Sequence, residues 1–310
     1  MLDIPESTNL NILSFDNKKG GVGKTTTAWN VSVLLALIFR LRVLLIDLDS
    51  DRCLTDGIGS GGFDARKIGK QTILDVLINP KGGIQNAIID YDLRPFYPII
   101  EILQNIVPDG IVRSGLPGKV DFIAGSEDLA EAPQQFKDFS TTQPVPKFEQ
   151  ALPWLLRQPY IQSSYDVVCL DIGPGWDPVT RSGLFASNYA VIPVKPASLD
   201  IEALRRQQMR INRANRERAQ ASLNSWKTNV LGVVISQVNP HSQVQRSIAD
   251  DLRRGLNKSS IPCFATEIPI DDDILLAMKE HQPAWAYAPD NTAVQQFVHL
   301  TSEIVTRLGV

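Results

Sequence analysis

Between Asn17 and Thr27 the chain reads Asn-Lys-Lys-Gly-Gly-Val-Gly-Lys-Thr-Thr-Thr, and no other stretch restricts the fold so tightly. Asn11 to Phe15 ahead of it is a short apolar run suited to a buried strand. Thr25 to Leu41 behind it is long, mostly apolar and compatible with a helix. The glycines therefore sit at a strand-to-helix turn. Lacking a Cβ, Gly20, Gly21 and Gly23 let the backbone curl so that several N–H groups meet one anion, and the helix N-terminus adds partial positive charge. The natural occupant is a polyphosphate. Lys24 is placed to reach its β- and γ-phosphates, and the Thr25 hydroxyl to hold Mg²⁺.

Two more apolar runs end in acids. Arg42 to Asp49 and Tyr165 to Gly175 each read as a buried strand that finishes in a carboxylate. Such continuous runs belong to parallel sheets covered by helices on both faces, and ligands of these sheets collect at the carboxyl ends of the strands. Asp47, Asp49 and Asp171 are thereby expected beside the phosphate turn, Asp171 as a carboxylate in a Mg²⁺ shell, while Asp166 is expected to be structural. Lys119 to Ala124, Ala190 to Pro196 and Val230 to Gln237 supply further strands, Thr72 to Ile78 and Thr292 to Leu308 further helices, and Gly57 to Gly69 a glycine-rich loop. The expected fold is α/β, three layers with a mostly parallel central sheet. One domain over residues 1–310 is expected, because no Gly/Ser- or Pro-rich linker divides a chain that is 43% hydrophobic.

A net charge of −3 excludes a general polycation, so any nucleic-acid binding must come from a local patch. Cys53, Cys169 and Cys263 are unclustered, which suits a reducing compartment and neither a disulfide framework nor a zinc site. The N-terminal residues are too polar for a secretory signal, and no apolar run approaches the roughly 20 residues that span a bilayer. A cytoplasmic protein is expected. The local patch is found between Asp200 and Trp226, a stretch suited to one long helix. At about 100° per residue, Arg205, Arg206, Arg210, Arg213 and Arg216 share one arc of it, with Ile201, Leu204 and Ile211 on another side. That stripe suits a phosphate backbone, read without sequence specificity.

An ordinary P-loop has a glycine where Lys18 stands; here Lys19-Gly-Gly-Val-Gly-Lys-Thr-Thr26 carries a second lysine before the glycines. This resembles the deviant Walker A motif of the ParA/MinD family of ATPases. The resemblance implies a P-loop NTPase fold that binds ATP through Lys19, Gly20, Gly21, Val22, Gly23, Lys24, Thr25 and Thr26. It implies Mg²⁺ held by Thr25 and Asp171 with Asp47 near the metal, and Asp49 orienting the attacking water. Lys19 would reach across a homodimer to the partner's nucleotide. The base would be held by loops after the later strands, Gln237 to Pro240 and Pro269 onward. Function would follow the ParA type: an ATP dimer that binds nucleoid DNA nonspecifically and positions cargo with a ParB-like partner. The alternative is a nucleotide-gated scaffold for a protein complex or a membrane, MinD-like, with slow or no hydrolysis. It is motivated by Ser50-Asp51-Arg52-Cys53, which replaces the family's usual Pro-Gln-Gly-Asn. Against the membrane version, Phe297 to Val310 has only Arg307 as a strong cation. A metabolic kinase or synthetase would need a further substrate pocket. Tyr91 to Gly118 is longer than its family counterpart, either a partner-specific insertion or a surface excursion.

Overall fold

Eight strands form one sheet: β1 (Asn11–Phe15), β2 (Arg42–Leu48), β3 (Ile89–Tyr91), β4 (Lys119–Ile123), β5 (Val167–Ile172), β6 (Tyr189–Val194), β7 (Asn229–Val238) and β8 (Cys263–Pro269). Their order is β3-β4-β2-β5-β1-β6-β7-β8, and every pairing is parallel except that of the short edge strand β3 with β4. The computed structural model describes residues 10–59, 63–107, 115–140, 147–196, 201–220 and 226–310.

The central strands β1, β2, β5 and β6 carry almost unbroken apolar sequence because both faces are covered. On one face lies the helix Lys24–Leu37, buried nearly all round between the sheet and the final helix Thr292–Leu308. An apolar surface on every side suits a helix in that position and no other. The opposite face carries helices Phe148–Leu156 and Pro178–Ala186. Helices Ile201–Gln220 and Gln243–Lys258 pack on β6 and β7.

Register brings the acids together. β5 lies between β2 and β1, with Asp171 opposite Asp47 on one side and Phe15 on the other. The carboxyl ends of three central strands therefore converge where the chain leaves β1 for the phosphate turn. Pro193 fits inside β6 because β1 has already ended beside it, and its carbonyl accepts from Asn17 Nδ2 at 2.7 Å. Asp166 is structural, its carboxylate paired with Arg42 at 2.7 Å.

One expectation changes, and two others fall partly outside the described residues. The loop expected over Gly57 to Gly69 is partly helical, with Cys53–Ile58 running into it and a 3₁₀ turn Ala65–Ile68 closing it; residues 60–62 lie outside the described residues. The helix expected from Asp200 to Trp226 is described over Ile201–Gln220; 197–200 and 221–225 lie outside the described residues. Of the stretch Tyr91 to Gly118, 108–114 lie outside the described residues; before them the chain forms an apolar cap, with Leu93, Leu103 and Val107 buried and Phe96 edge-on against Trp285, ring centroids 5.2 Å apart. Among the described residues no helix is long and apolar enough to cross a membrane.

Candidate active site

Gly21 (φ 65°) and Gly23 (φ 88°) occupy the left-handed region, so the turn needs residues without a Cβ. Its carbonyls are tied back by side chains. Gln237 Nε2 donates to Gly21 O at 3.0 Å, Ser236 Oγ to Val22 O at 2.7 Å, and Thr27 Oγ1 to Gly23 O at 2.7 Å. With these carbonyls held outward, the peptide N–H groups are left for an anion. The helix that follows has no side-chain cap and no acid in its first turn, so its own amides are uncapped as well. Gln237 makes its bond from a left-handed backbone (φ 58°), a strain of about 1 kcal/mol that its position in the fold must support.

Lys24, 6% exposed, leads into three acids. They differ in use. Asp47 is fully buried and engaged: Oδ1 accepts from Asp49 N at 3.0 Å, and Oδ2 from Thr55 N at 2.9 Å and Thr55 Oγ1 at 2.6 Å. Thr55 Oγ1 in turn accepts from Gly125 N at 2.8 Å, so Asp47 pins the segments after β2 and β4 together. Neither oxygen of Asp171 accepts a well-formed hydrogen bond, although the residue has no exposed surface. Asp47, expected near the metal, is engaged here as a brace, and Asp171 carries lone pairs that no hydrogen bond takes up. Thr25 and Lys24 are the groups that oppose Asp171's charge penalty. An orphaned buried carboxylate beside a hydroxyl is a donor set that fits a hard divalent cation.

The electrostatics agree. Burial pushes Asp47 up to about 6, and burial together with the Asp47 charge pushes Asp171 well above the usual carboxylate range. Asp49 is also raised by burial, against which Lys24 acts. Asp49 Oδ1 accepts from Asp51 N at 3.1 Å, and its carboxyl lies against Gly173, where a Cβ would come within 3.3 Å of Asp49 Cγ. The segments after β2 and β5 thus touch through Asp49. Lys19 stands exposed on the outer rim of the turn.

Next to Gly23 and Thr27 opens a largely apolar cavity of about 260 Å³, lined also by Gln237, Pro269, Ile270 and Leu275. These are the later-strand loops from which a base-binding site was expected. A larger cavity, about 520 Å³, lies beyond Pro269–Asp271 among Val238, Arg246, Glu267 and Gln296, and shares no phosphate-turn residue.

Arg205, Arg206, Arg213 and Arg216 are exposed on the arginine-rich helix. Arg210 is not: its side chain is 7% exposed and pairs with the buried Asp16 at 2.9 Å. It stands at the edge of the expected arc, one residue before the buried Ile211, and belongs to the packed face. Arg218 is buried too, against the carbonyls of Phe185 and Ser187. Sequence reading missed Ser236 and Asp16, neither of which carries a motif, and gave Thr27 no role of its own.

Residues 10–225 match the sequence profile of a family described as an AAA domain. The chromosome-partitioning ATPase Soj of Thermus thermophilus is 24% identical over 296 residues, 96% of each chain. The chromosome partitioning protein ParA of Caulobacter vibrioides is 25% identical over 298 residues, 96% of this chain and 95% of that one. Among solved structures, a variant of Cyanothece McdA in complex with ATP superposes with a TM-score of 0.69 at 16% identity, covering 98% of both chains.

Proposed function

We propose, from the premise that the chain belongs to the ParA/MinD family of P-loop ATPases, that it is an ATP-driven, dimerising switch of the ParA type. ATP and Mg²⁺ are its ligands. The turn's amides and Lys24 neutralise the terminal phosphates, and the cavity beside Thr27 and Pro269 receives the base. Thr25 and Asp171 are the residues that would hold Mg²⁺, which supplies charge neutralisation across the β- and γ-phosphates when bound. Asp49 orients water, and Lys19, on the rim, acts on the partner's nucleotide. In that state Arg205, Arg206, Arg213 and Arg216 bind DNA backbone without sequence preference, and a ParB-like partner stimulates release. The task is cargo or DNA segregation in the cytoplasm, on the nucleoid.

The observation that carries this reading is the phosphate turn itself, its carbonyls tied back and its helix uncapped beside an unengaged Asp171. DNA retention with ATP, with ADP and without nucleotide, across a salt series, tests it. Binding in the ATP state alone is expected, with Lys24→Ala inactive; equal binding in all three states would remove the switch.

A second reading, a nucleotide-gated scaffold with slow turnover, is favoured by one observation. The segment after β2 is firmly braced, Thr55 to Asp47, and Arg52 (φ 54°) to Phe63 O at 2.6 Å and Asp56 at 3.2 Å. Steady-state phosphate release with and without DNA separates the two.

A further inference from the structure

Asp16, the first residue after β1, has no exposed surface and sits at the root of the phosphate turn. Gln207 Nε2 and Arg210, both from the arginine-rich helix, donate to its carboxylate, Arg210 at 2.9 Å. Gln207 Oε1 also accepts from Lys18 N at 3.4 Å, within the turn. The same Arg210 guanidinium donates through its other terminal nitrogen to Pro174 O at 3.1 Å, in the Gly-Pro-Gly turn that follows Asp171. Trp176, just after that turn, has the Arg210 and Arg213 guanidinium carbons 5.3 and 4.8 Å from its ring. One side chain thus holds both segments that face the terminal phosphate.

We propose that Asp16 and Arg210 form a buried strut, Arg210 being a positioning residue that fixes the Gly173–Gly175 turn against the phosphate turn and carries its movements to the helix Ile201–Gln220. This rests on the nucleotide-binding reading above. A buried ion pair adds little net stability over apolar packing, so stability alone gives no reason for this one; what it supplies is a fixed geometry between two loops. Arg210 Nε and Trp176 Nε1 have no acceptor in this arrangement, which leaves donors for a second position of the turn. The helix so tethered is the one that presents Arg205, Arg206, Arg213 and Arg216 outward. A shift of the turn on nucleotide binding is thereby read at the cationic face.

The test is hydrogen exchange of the full chain, with and without a slowly hydrolysed ATP analogue, in wild type, Arg210→Lys and Arg210→Met. Arg210→Lys keeps the charge beside Asp16 but cannot hold Pro174 O at the same time, so it preserves the fold if Arg210→Met does not. Without nucleotide, the amides of 175–177 are expected to exchange about tenfold faster in Arg210→Lys, the factor that one hydrogen bond to a charged group carries. With the analogue, wild type gains protection in 20–27, in 175–177 and in 204–220. Arg210→Lys gains it in 20–27 alone, with kcat reduced about tenfold and KM within about threefold. Protection of 204–220 in the variant equal to that in wild type would overturn the strut. If wild type binds no nucleotide, the proposed function falls, while the nucleotide-free comparison still decides the strut: unchanged exchange at 175–177 overturns it.

Discussion

Asp171→Asn is expected to stabilise the nucleotide-free fold while abolishing Mg²⁺-dependent ATP binding. Asp171 is fully buried, accepts no well-formed hydrogen bond and lies opposite Asp47 in the β2–β5 register. Burial raises the neighbouring Asp47 from 3.8 to about 6 in spite of three hydrogen bonds. At about 1.4 kcal/mol per unit that is about 3 kcal/mol against the charged form. Burial and the Asp47 charge raise Asp171 well above the usual carboxylate range, so its charged form is opposed in the same way. The asparagine removes the charge and can donate its amide to Asp47, and relief of one uncompensated buried charge is on the order of 2–3 kcal/mol. An unfolding entropy of about 2.1 cal/mol/K per residue over the 310 residues makes this about 3–5 °C in Tm. The gain depends on pH. A carboxyl raised in the folded state destabilises the fold above that raised value, and the cost vanishes below the unfolded value near 3.8. Wild type therefore gains stability as pH falls from 8 toward 5, and the advantage of the variant shrinks over the same window. Calorimetry of the metal-free protein at pH 8 and pH 5 measures both. A variant less stable than wild type at pH 8, or an advantage unchanged at pH 5, would refute the reasoning.

Asp49→Ala should leave ATP affinity within about threefold and lower phosphate release about a hundredfold or more; a wild-type rate would end the water-orienting role. Gly173→Ala places a methyl 3.3 Å from Asp49 Cγ, so turnover should fall about tenfold with nucleotide binding kept, and an unchanged rate would mean that the carboxyl has room to yield. Removing Arg205, Arg206 and Arg216 together should flatten the salt dependence of DNA binding by about 0.9 per lost phosphate contact; an unaltered slope would take DNA off this face.

The phosphate turn was legible because its chemistry is local: glycines, lysine and threonine act within one turn, and the apolar runs beside it declare strand and helix. Asp171 was legible for a similar reason, an acid ending a buried run. The bracing bonds of Asp47 and the buried side taken by Arg210 were not, since neither leaves a motif. Asp47 is expected near the metal from its place at a strand end, and nothing in that place announces its bonds to Thr55, which Gly125 joins in turn. Helical periodicity puts Arg210 on the edge between solvent and core, and only Asp16, 194 residues away, settles which side it takes. Gln237 and Ser236 support the turn from 214 residues or more away, through bonds that leave no spacing to find. The cap that begins at Tyr91 was hidden because Phe96 answers to Trp285, far along the chain, and a run with four prolines reads as a surface excursion as readily as a packed one.

Mass in solution at saturating non-hydrolysable ATP is the most direct measurement of whether two chains close around two nucleotides. Sedimentation velocity should show twice the chain mass for wild type and a single chain for Lys19→Ala, with both proteins binding the analogue. A single chain for saturated wild type would contradict the dimerising switch.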